Sequence, residues 1–322
     1  MKASALPPYS LRPARRDDVP ACVDVFHRSF ESLMASRREP IPPRNSPPMT
    51  RMFEHLVDTD PACAWVAEAA GAVVGFALAH RRGDRWFLGF LFILEEWQRG
   101  GLGRALLERA LPADRDRCRL GVCAEAIQPV STGLYARYGM VPRMPIYLLV
   151  GELRPDALAR DPERLAWTAL SALDDGPREI GGGSPFGPRA LARLAAIDRE
   201  MLDEERTPEH RFLRATGRLG LLFHRPGSPD GEALGYGYVQ PSGRLGPLLM
   251  REPALLTPAL AELTDAVVPP GAWQAIVPGA AADALVPLLN GGLRIEGGPA
   301  VYASDWAGPP FDRYLPMNFA LV

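Results

Sequence analysis

Apolar positions change period along the chain, and the changes mark out its elements. Tyr9–Arg12 reads as a short strand, and Cys63–Glu68 with Val73–His80 as a hairpin turning at Ala70-Gly71. Between them Val19, Cys22, Val23, Phe26, Phe30 and Leu33 recur at helical spacing behind Asp17-Asp18, which predicts a helix opening there. Arg37–Pro48 holds five prolines and reads as a loop, followed by a helix over Met49–Val57. Trp86–Leu94 is a nearly unbroken apolar run, as expected of a central strand covered on both faces. A helix over Leu102–Leu111, a strand over Arg119–Cys123, a helix over Val130–Tyr138 and a strand over Ile146–Val150 come next. Antiparallel strands come first and β-α-β units later, so the pattern predicts a mixed sheet with helices on both faces.

Residues 154–187 break the pattern. Asp174-Asp175-Gly176-Pro177 and Gly181-Gly182-Gly183-Ser184-Pro185 are turn and linker chemistry. The alternation then restarts, with helices over Pro188–Glu205 and Pro208–Ala215 and strands over Leu219–His224, Leu234–Gln240 and Leu245–Met250. A helix over Ala254–Val267, a strand over Trp273–Val277, a helix over Ala281–Leu289 and strands at Leu293–Ile295 and Ala300–Ser304 complete it. The two orders agree element by element. Leu88-Gly89-Phe90 lies beside Leu245-Gly246-Pro247 at an offset of 157, and Tyr138-Gly139-Met140 beside Gly291-Gly292-Leu293 at an offset of 153. The expected fold is therefore a duplicated α/β (α+β) arrangement, with domains at 1–153 and 188–322 joined by a linker at 154–187.

Composition removes several mechanisms. Among 322 residues Lys2 is the only lysine, so 35 of the 36 basic residues are arginine. A P-loop lysine, a pyridoxal-phosphate Schiff base and a catalytic lysine are excluded from the body of the chain. The net charge of −2 argues against non-specific nucleic-acid binding. Neither a run of 18 apolar residues nor a signal-peptide core is present, which predicts a cytoplasmic protein with no membrane partner. Cys22, Cys63, Cys118 and Cys123 form no C-x-x-C pair and read as buried free thiols. The five histidines show no ligand spacing, so no metal is expected.

One segment carries chemistry. Gln98-Arg99-Gly100-Gly101-Leu102-Gly103-Arg104-Ala105 comes directly after the central apolar strand and opens an amphipathic helix. Glycines let a backbone turn tightly and bring its N–H groups close to a ligand, and the helix start adds unpaired donors and a positive dipole end. Arg99 and Arg104 supply charge-assisted contacts to an anion. A second match, Arg178-Glu179-Ile180-Gly181-Gly182-Gly183, has no strand before it and reads as a connector.

With its preceding Leu94-Glu95-Glu96-Trp97, this unit resembles motif A of the GNAT superfamily of acyl-CoA-dependent N-acyltransferases. Gln128-Pro129-Val130-Ser131-Thr132-Gly133-Leu134-Tyr135-Ala136-Arg137-Tyr138-Gly139-Met140 resembles that family's motif B, with Gln128 where Asn is common and Gly139-Met140 for the usual Gly-Phe. The resemblance covers residues 9–150. It implies that acetyl-CoA is the acyl donor, its pyrophosphate held by the Gln98, Arg99, Gly100, Gly101, Leu102, Gly103 and Arg104 segment. It implies further that the pantetheine arm pairs with backbone at Phe92, Ile93 and Leu94, with Gln128 and Ser131 also contributing. Tyr135 matches the tyrosine that protonates the leaving thiolate, Tyr138 being the packing residue of the pair, and a backbone N–H at a strand bulge is expected to hold the carbonyl oxygen.

The central strand has no carboxylate. Glu125 is a candidate base, a solvated loop carboxylate is the blander reading, and no base is assigned. The acceptor site is expected along Phe26 to Arg51, where Arg37, Arg38, Arg44 and Arg51 either hold an anion or form a solvated loop. Asp198–Glu205 reads as a solvated acidic helix face or an attractor of amines. The expected function is acetyl transfer to a primary amine of a small molecule or peptide, by a monomer or homodimer. The alternative is a non-catalytic acyl-CoA sensor or scaffold; a dinucleotide-binding module is disfavoured because the glycine spacing is not G-x-G-x-x-G. The second half has no glycine loop after Leu245–Met250, carries Pro253 and Pro258 there, and offers Leu288 where Tyr135 would align. It reads as a degenerate copy, as in tandem-GNAT acetyltransferases.

Overall fold

The computed structural model describes residues 7–41, 43–126, 128–154, 156–174 and 186–322. The second glycine match at Arg178–Gly183, within the Gly/Pro-rich part of the linker, lies outside them. The chain forms two compact units, Met1–Val122 and Cys123–Val322.

In the first unit the strands are β1 (Ser10–Pro13), β2 (Ala64–Ala69), β3 (Ala72–Arg82), β4 (Arg85–Ile93) and β5 (Arg119–Glu125), which runs on into the second. Antiparallel pairing links β1 to β4 in order, and β5 joins β4 in parallel. The hairpin turns at Ala70 and Gly71, both at positive φ (49° and 78°), as a two-residue primed turn requires. Helix α1 (Val19–Arg37) and helix α2 (Ser46–Thr59) pack on one face of the sheet, α3 (Leu102–Ala110) on the other. Helix α2 starts three residues earlier than the prolines suggested. Pro47 and Pro48 fall in its first turn, where no amide donor is needed.

Unit 2 continues with α4 (Pro129–Ala136), β6 (Val141–Gly151), β7 (Ala166–Ala169), α5 (Pro188–Leu202), α6 (Thr207–Ala215), β8 (Leu219–His224), β9 (Ala233–Val239) and β10 (Arg244–Met250). Then come α7 (Leu256–Asp265), β11 (Trp273–Pro278), α8 (Ala282–Asn290), β12 (Arg294–Ile295), β13 (Ala300–Ser304) and β14 (Tyr314–Leu315). β7, β8, β9 and β10 pair antiparallel in sequence order, and β11 joins β10 in parallel. This repeats the order of unit 1. β6 lies between β11 and β13, antiparallel to both.

Two departures from the sequence reading have physical causes. The stretch read as a linker contains β7, whose Trp167 and Thr168 pair with Phe223 and Leu222 of β8. Residues 123–153, assigned to the first domain, fall in the second compact unit because β6 finds both its partners there.

The acidic stretch at Asp198–Glu205 is divided: Glu200, Asp203 and Glu205 are exposed, as a solvated face would be, but two of its carboxylates are not. Asp198 is fully buried and Glu204 is buried. Asp198 accepts from Tyr236 Oη at 2.6 Å and lies 2.8 Å from His210 Nε2, whose Nδ1 is 2.8 Å from Tyr238 Oη. Burial pushes both tyrosine phenols well above their ordinary value, so they are neutral donors. Asp198→Ala leaves two buried donors without an acceptor, each costing about 1–3 kcal/mol. Denaturant unfolding is expected to show a loss of about 2–5 kcal/mol, and a loss below 1 kcal/mol would mean the network is dispensable.

Candidate active site

The candidate site of unit 1 begins at an irregularity in β4. Leu78 opposes Phe90 but Ala79 opposes Leu88, so Gly89 is an extra residue in β4, a bulge. The parallel register with β5 ends just before it, at Leu88↔Val122. From Gly89 to Ile93 the strand therefore keeps β3 on one side and has no β5 partner on the other. Its residues Phe90, Leu91, Phe92 and Ile93 are only partly buried, unlike Trp86, Phe87 and Leu88 just before the bulge. Backbone donors and acceptors along that edge, other than Ile93 O, are open to an extended ligand.

Local hydrogen bonds hold the chain in place where it leaves β4. Ile93 O accepts from Ser29 Oγ at 2.9 Å and from Gln98 Nε2 at 3.0 Å, and Leu94 N–H donates to Val74 O at 3.0 Å. Gln98 thus ties the end of β4 to the loop with its side chain. Arg99 (φ 67°) and Gly101 (φ 84°) are in the left-handed region, and the chain enters α3 at Leu102. A Cβ on Gly101 would meet no atom within 4 Å, so the loop's glycine is required by its backbone angle rather than by crowding. Trp86 Nε1 donates to Ala110 O at 3.0 Å, fixing the far end of α3 to the start of β4. The helix start, with its unpaired first-turn amides, is thereby held at the bulged end of the strand. Arg99 is exposed. Arg104 pairs with Glu108 one turn on, at 2.9 Å.

Helix α4 of unit 2 presents Gln128 at its N-cap, and Ser131 Oγ donates to Gln128 O at 3.1 Å. Tyr135 is 6% exposed, and its hydroxyl makes no hydrogen bond among the described residues. Burial holds its phenol above the ordinary value, so it is protonated at neutral pH. Tyr138 is the partly exposed member of the pair. Glu125 is partly exposed at the end of β5.

Residues 28–140 match the Acetyltransferase (GNAT) family. This part of the chain is a GNAT domain. Acetyl transfer is the activity of that family. No curated protein matches. Among solved structures, the chain is similar to a protein from Pyrococcus horikoshii provisionally described as an acetyltransferase, at 16% identity and TM-score 0.71, covering 100% of this chain and 99% of that one. It is also similar to a GCN5-related N-acetyltransferase from Sphaerobacter thermophilus, at 18% identity and TM-score 0.60, covering 96% and 99%. A third is a tandem GNAT protein from the clavulanic acid biosynthesis pathway, at 15% identity and TM-score 0.56, covering 94% and 99%. At these identities the likeness is one of fold, and it extends over both halves.

Around the GNAT domain's cleft the expected arginines divide. Arg44 is held by Glu31 (2.6 Å) and Asp24 (3.1 Å), so its charge is already satisfied, and Arg38 caps α1 in the left-handed region. Among the described residues no group of three or more His, Cys, Asp or Glu is arranged to hold a metal ion. Cys22, Cys63 and Cys118 are buried and Cys123 partly so; none is in a disulfide. No described helix is long and apolar enough to cross a membrane.

Unit 2 repeats the bulge and then fills the space beside it. Leu245 opposes Val239 but Leu248 opposes Gly237, so β10 carries one extra residue at Gly246-Pro247, the position 157 residues after Gly89. Register with β11 ends at Leu245↔Ala275. The vacated edge is taken by β14, with Leu248↔Leu315 and Leu249↔Tyr314 paired and Met250 N–H donating to Arg313 O at 3.1 Å. Tyr314 and Leu315 are fully buried. Buried Arg218 donates to Gly246 O at 2.8 Å, and burial pushes its guanidinium down to about 9. Sequence reasoning missed β14 because two residues between turns give no periodic signal.

Proposed function

We propose that the chain is an acetyl-CoA-dependent N-acetyltransferase working in the cleft of unit 1, on a primary amine of a small molecule or peptide. The observation that carries this reading is the bulge at Gly89 with the open β4 edge behind it, leading directly into the Arg99–Arg104 loop and the start of α3. The Phe92–Leu94 backbone receives the pantetheine amides, and the amides of Gly100 to Arg104 receive the pyrophosphate, with Arg99 at the rim. The thioester supplies an activated acetyl carbon. The backbone amide beside Gly89 stabilises negative charge on its oxygen, and Tyr135 gives its proton to the departing sulfur. A buried phenol with no hydrogen-bond partner among the described residues is free for that transfer.

Calorimetry with acetyl-CoA, followed by thiol detection of CoA release across a panel of primary amines, tests the reading. Binding followed by amine-dependent release is expected. Binding without release to any acceptor would make the chain a sensor instead.

The second unit is proposed to bind no acyl-CoA. Its β10 edge is occupied by its own chain, and the segment after β10 has neither a glycine nor an open turn, since Arg251 is paired with Glu200 and with Ala233 O. One acetyl-CoA per chain is expected in the titration, and a stoichiometry of two would overturn the assignment of a silent second unit.

A further inference from the structure

We infer that the acceptor amine carries an aromatic or comparably bulky apolar group, received by a wall of phenylalanines beside the open edge of β4. This rests on the acyl-transfer reading of the same cleft. Six of the chain's 12 phenylalanines meet in unit 1, on the α1/α2 side of the sheet. Phe53 and Phe76 are fully buried and form the backing. Phe26 and Phe30 of α1 and Phe90 and Phe92 of β4 stand in front of them and are each partly exposed.

The front four are held as a set. Phe26 packs edge-on against Phe92 at 4.8 Å between centroids and against Phe90 at 6.3 Å, and lies parallel to Phe30 at 6.0 Å. Phe53 supports Phe90 from behind at 4.7 Å. Ser29 and Ser32 fix α1 over this end of the strand by bonding Ile93 O and Glu95, at 2.9 and 2.5 Å. Phe90 and Phe92 belong to the stretch of β4 beyond the bulge, where the thioester is proposed to lie, so the wall borders the point of amine attack.

The carboxylates of α1 beside the wall are already matched. Asp24 and Glu31 are the only carboxylates of α1, and Arg44 engages both. His27 is buried, lies 3.3 Å from Ser46 Oγ, and is pushed by burial toward its neutral form. No unpaired carboxylate of α1 remains to receive a second ammonium, while four ring surfaces favour an apolar body. The same surfaces suit a monoamine with one hydrophobic substituent and disfavour a polyamine.

The test uses the full chain saturated with acetyl-CoA, with 2-phenylethylamine and spermidine as probes. Saturation-transfer NMR reads binding, and thiol release reads turnover. Phenylethylamine is expected to bind at least tenfold more tightly. Phe30→Ala, at a partly exposed helix position, is expected to weaken it about tenfold while leaving acetyl-CoA affinity and spermidine unchanged. Phe30→Leu is expected to restore most of the loss and serves if the alanine variant does not fold. Spermidine binding as well or better, or neither amine binding, overturns the inference. So does octanoyl-CoA binding more tightly than acetyl-CoA with Phe30→Ala abolishing that preference, because the wall would then hold the acyl chain. Failure of acetyl-CoA itself to bind would sink the acyl-transfer reading, and this inference with it.

Discussion

Tyr135→Phe is expected to lower kcat by about 100-fold or more and to leave acetyl-CoA affinity nearly unchanged, since general-acid catalysis contributes roughly 10²–10⁴ in rate. The variant removes one oxygen from a side chain that is 6% exposed and whose hydroxyl has no hydrogen-bond partner among the described residues. No buried group loses a partner, so the melting temperature should hardly move. The direction of the phenol's pKa gives a second readout. Burial raises it above its ordinary value, so the acid stays protonated through neutral and mildly alkaline pH. A falling limb in the kcat–pH profile at or below about 10, the ordinary phenol value, would assign the acid to another group. Unchanged turnover in the variant would remove Tyr135 from the mechanism altogether.

Gly101→Val should strike the other half of the reaction. Gly101 sits at φ 84°, where a β-branched residue is strongly disfavoured, although a Cβ there meets no neighbour. Forcing a side chain into the left-handed region costs roughly 1–2 kcal/mol. The loop is expected to relieve that cost by turning its amides away from the pyrophosphate position. Acetyl-CoA binding should weaken about tenfold or more by calorimetry, with the fold retained by circular dichroism. Equal affinity in the variant would mean that the pyrophosphate is held elsewhere.

Much of this cleft was legible in the chain, and the gaps have physical reasons. The run Trp86–Leu94 announces a buried strand, and Arg99–Arg104 announces an anion cradle, because both signals are local. The bulge is different. Gly89 is a glycine inside a strand, and only the register against Ala79 and Leu78 shows that it is the extra residue. Tyr135 and Tyr138 are three apart in a stretch whose pattern reads as one helix, so periodicity puts them near one face and cannot say which is buried. The start of β6 is hidden because Pro142 and Pro145 resemble a loop, yet Val141 and Pro145 pair with Ser304 and Val301. The acidic run at Asp198 conceals a buried network for a similar reason. A burial partner twelve residues away, His210, leaves no trace in local charge pattern.

The position of β6 also governs how such a chain is inherited. Residues 141–151 belong in sequence to the first repeat, but their hydrogen bonds run to β11 and β13 of the second. A chain cut after residue 153 would carry β6 with both edges bare, an invitation to intermolecular pairing. The remainder would lack the strand that separates β11 from β13. Exchanging one half for a relative's would therefore require two strand registers to be matched as well.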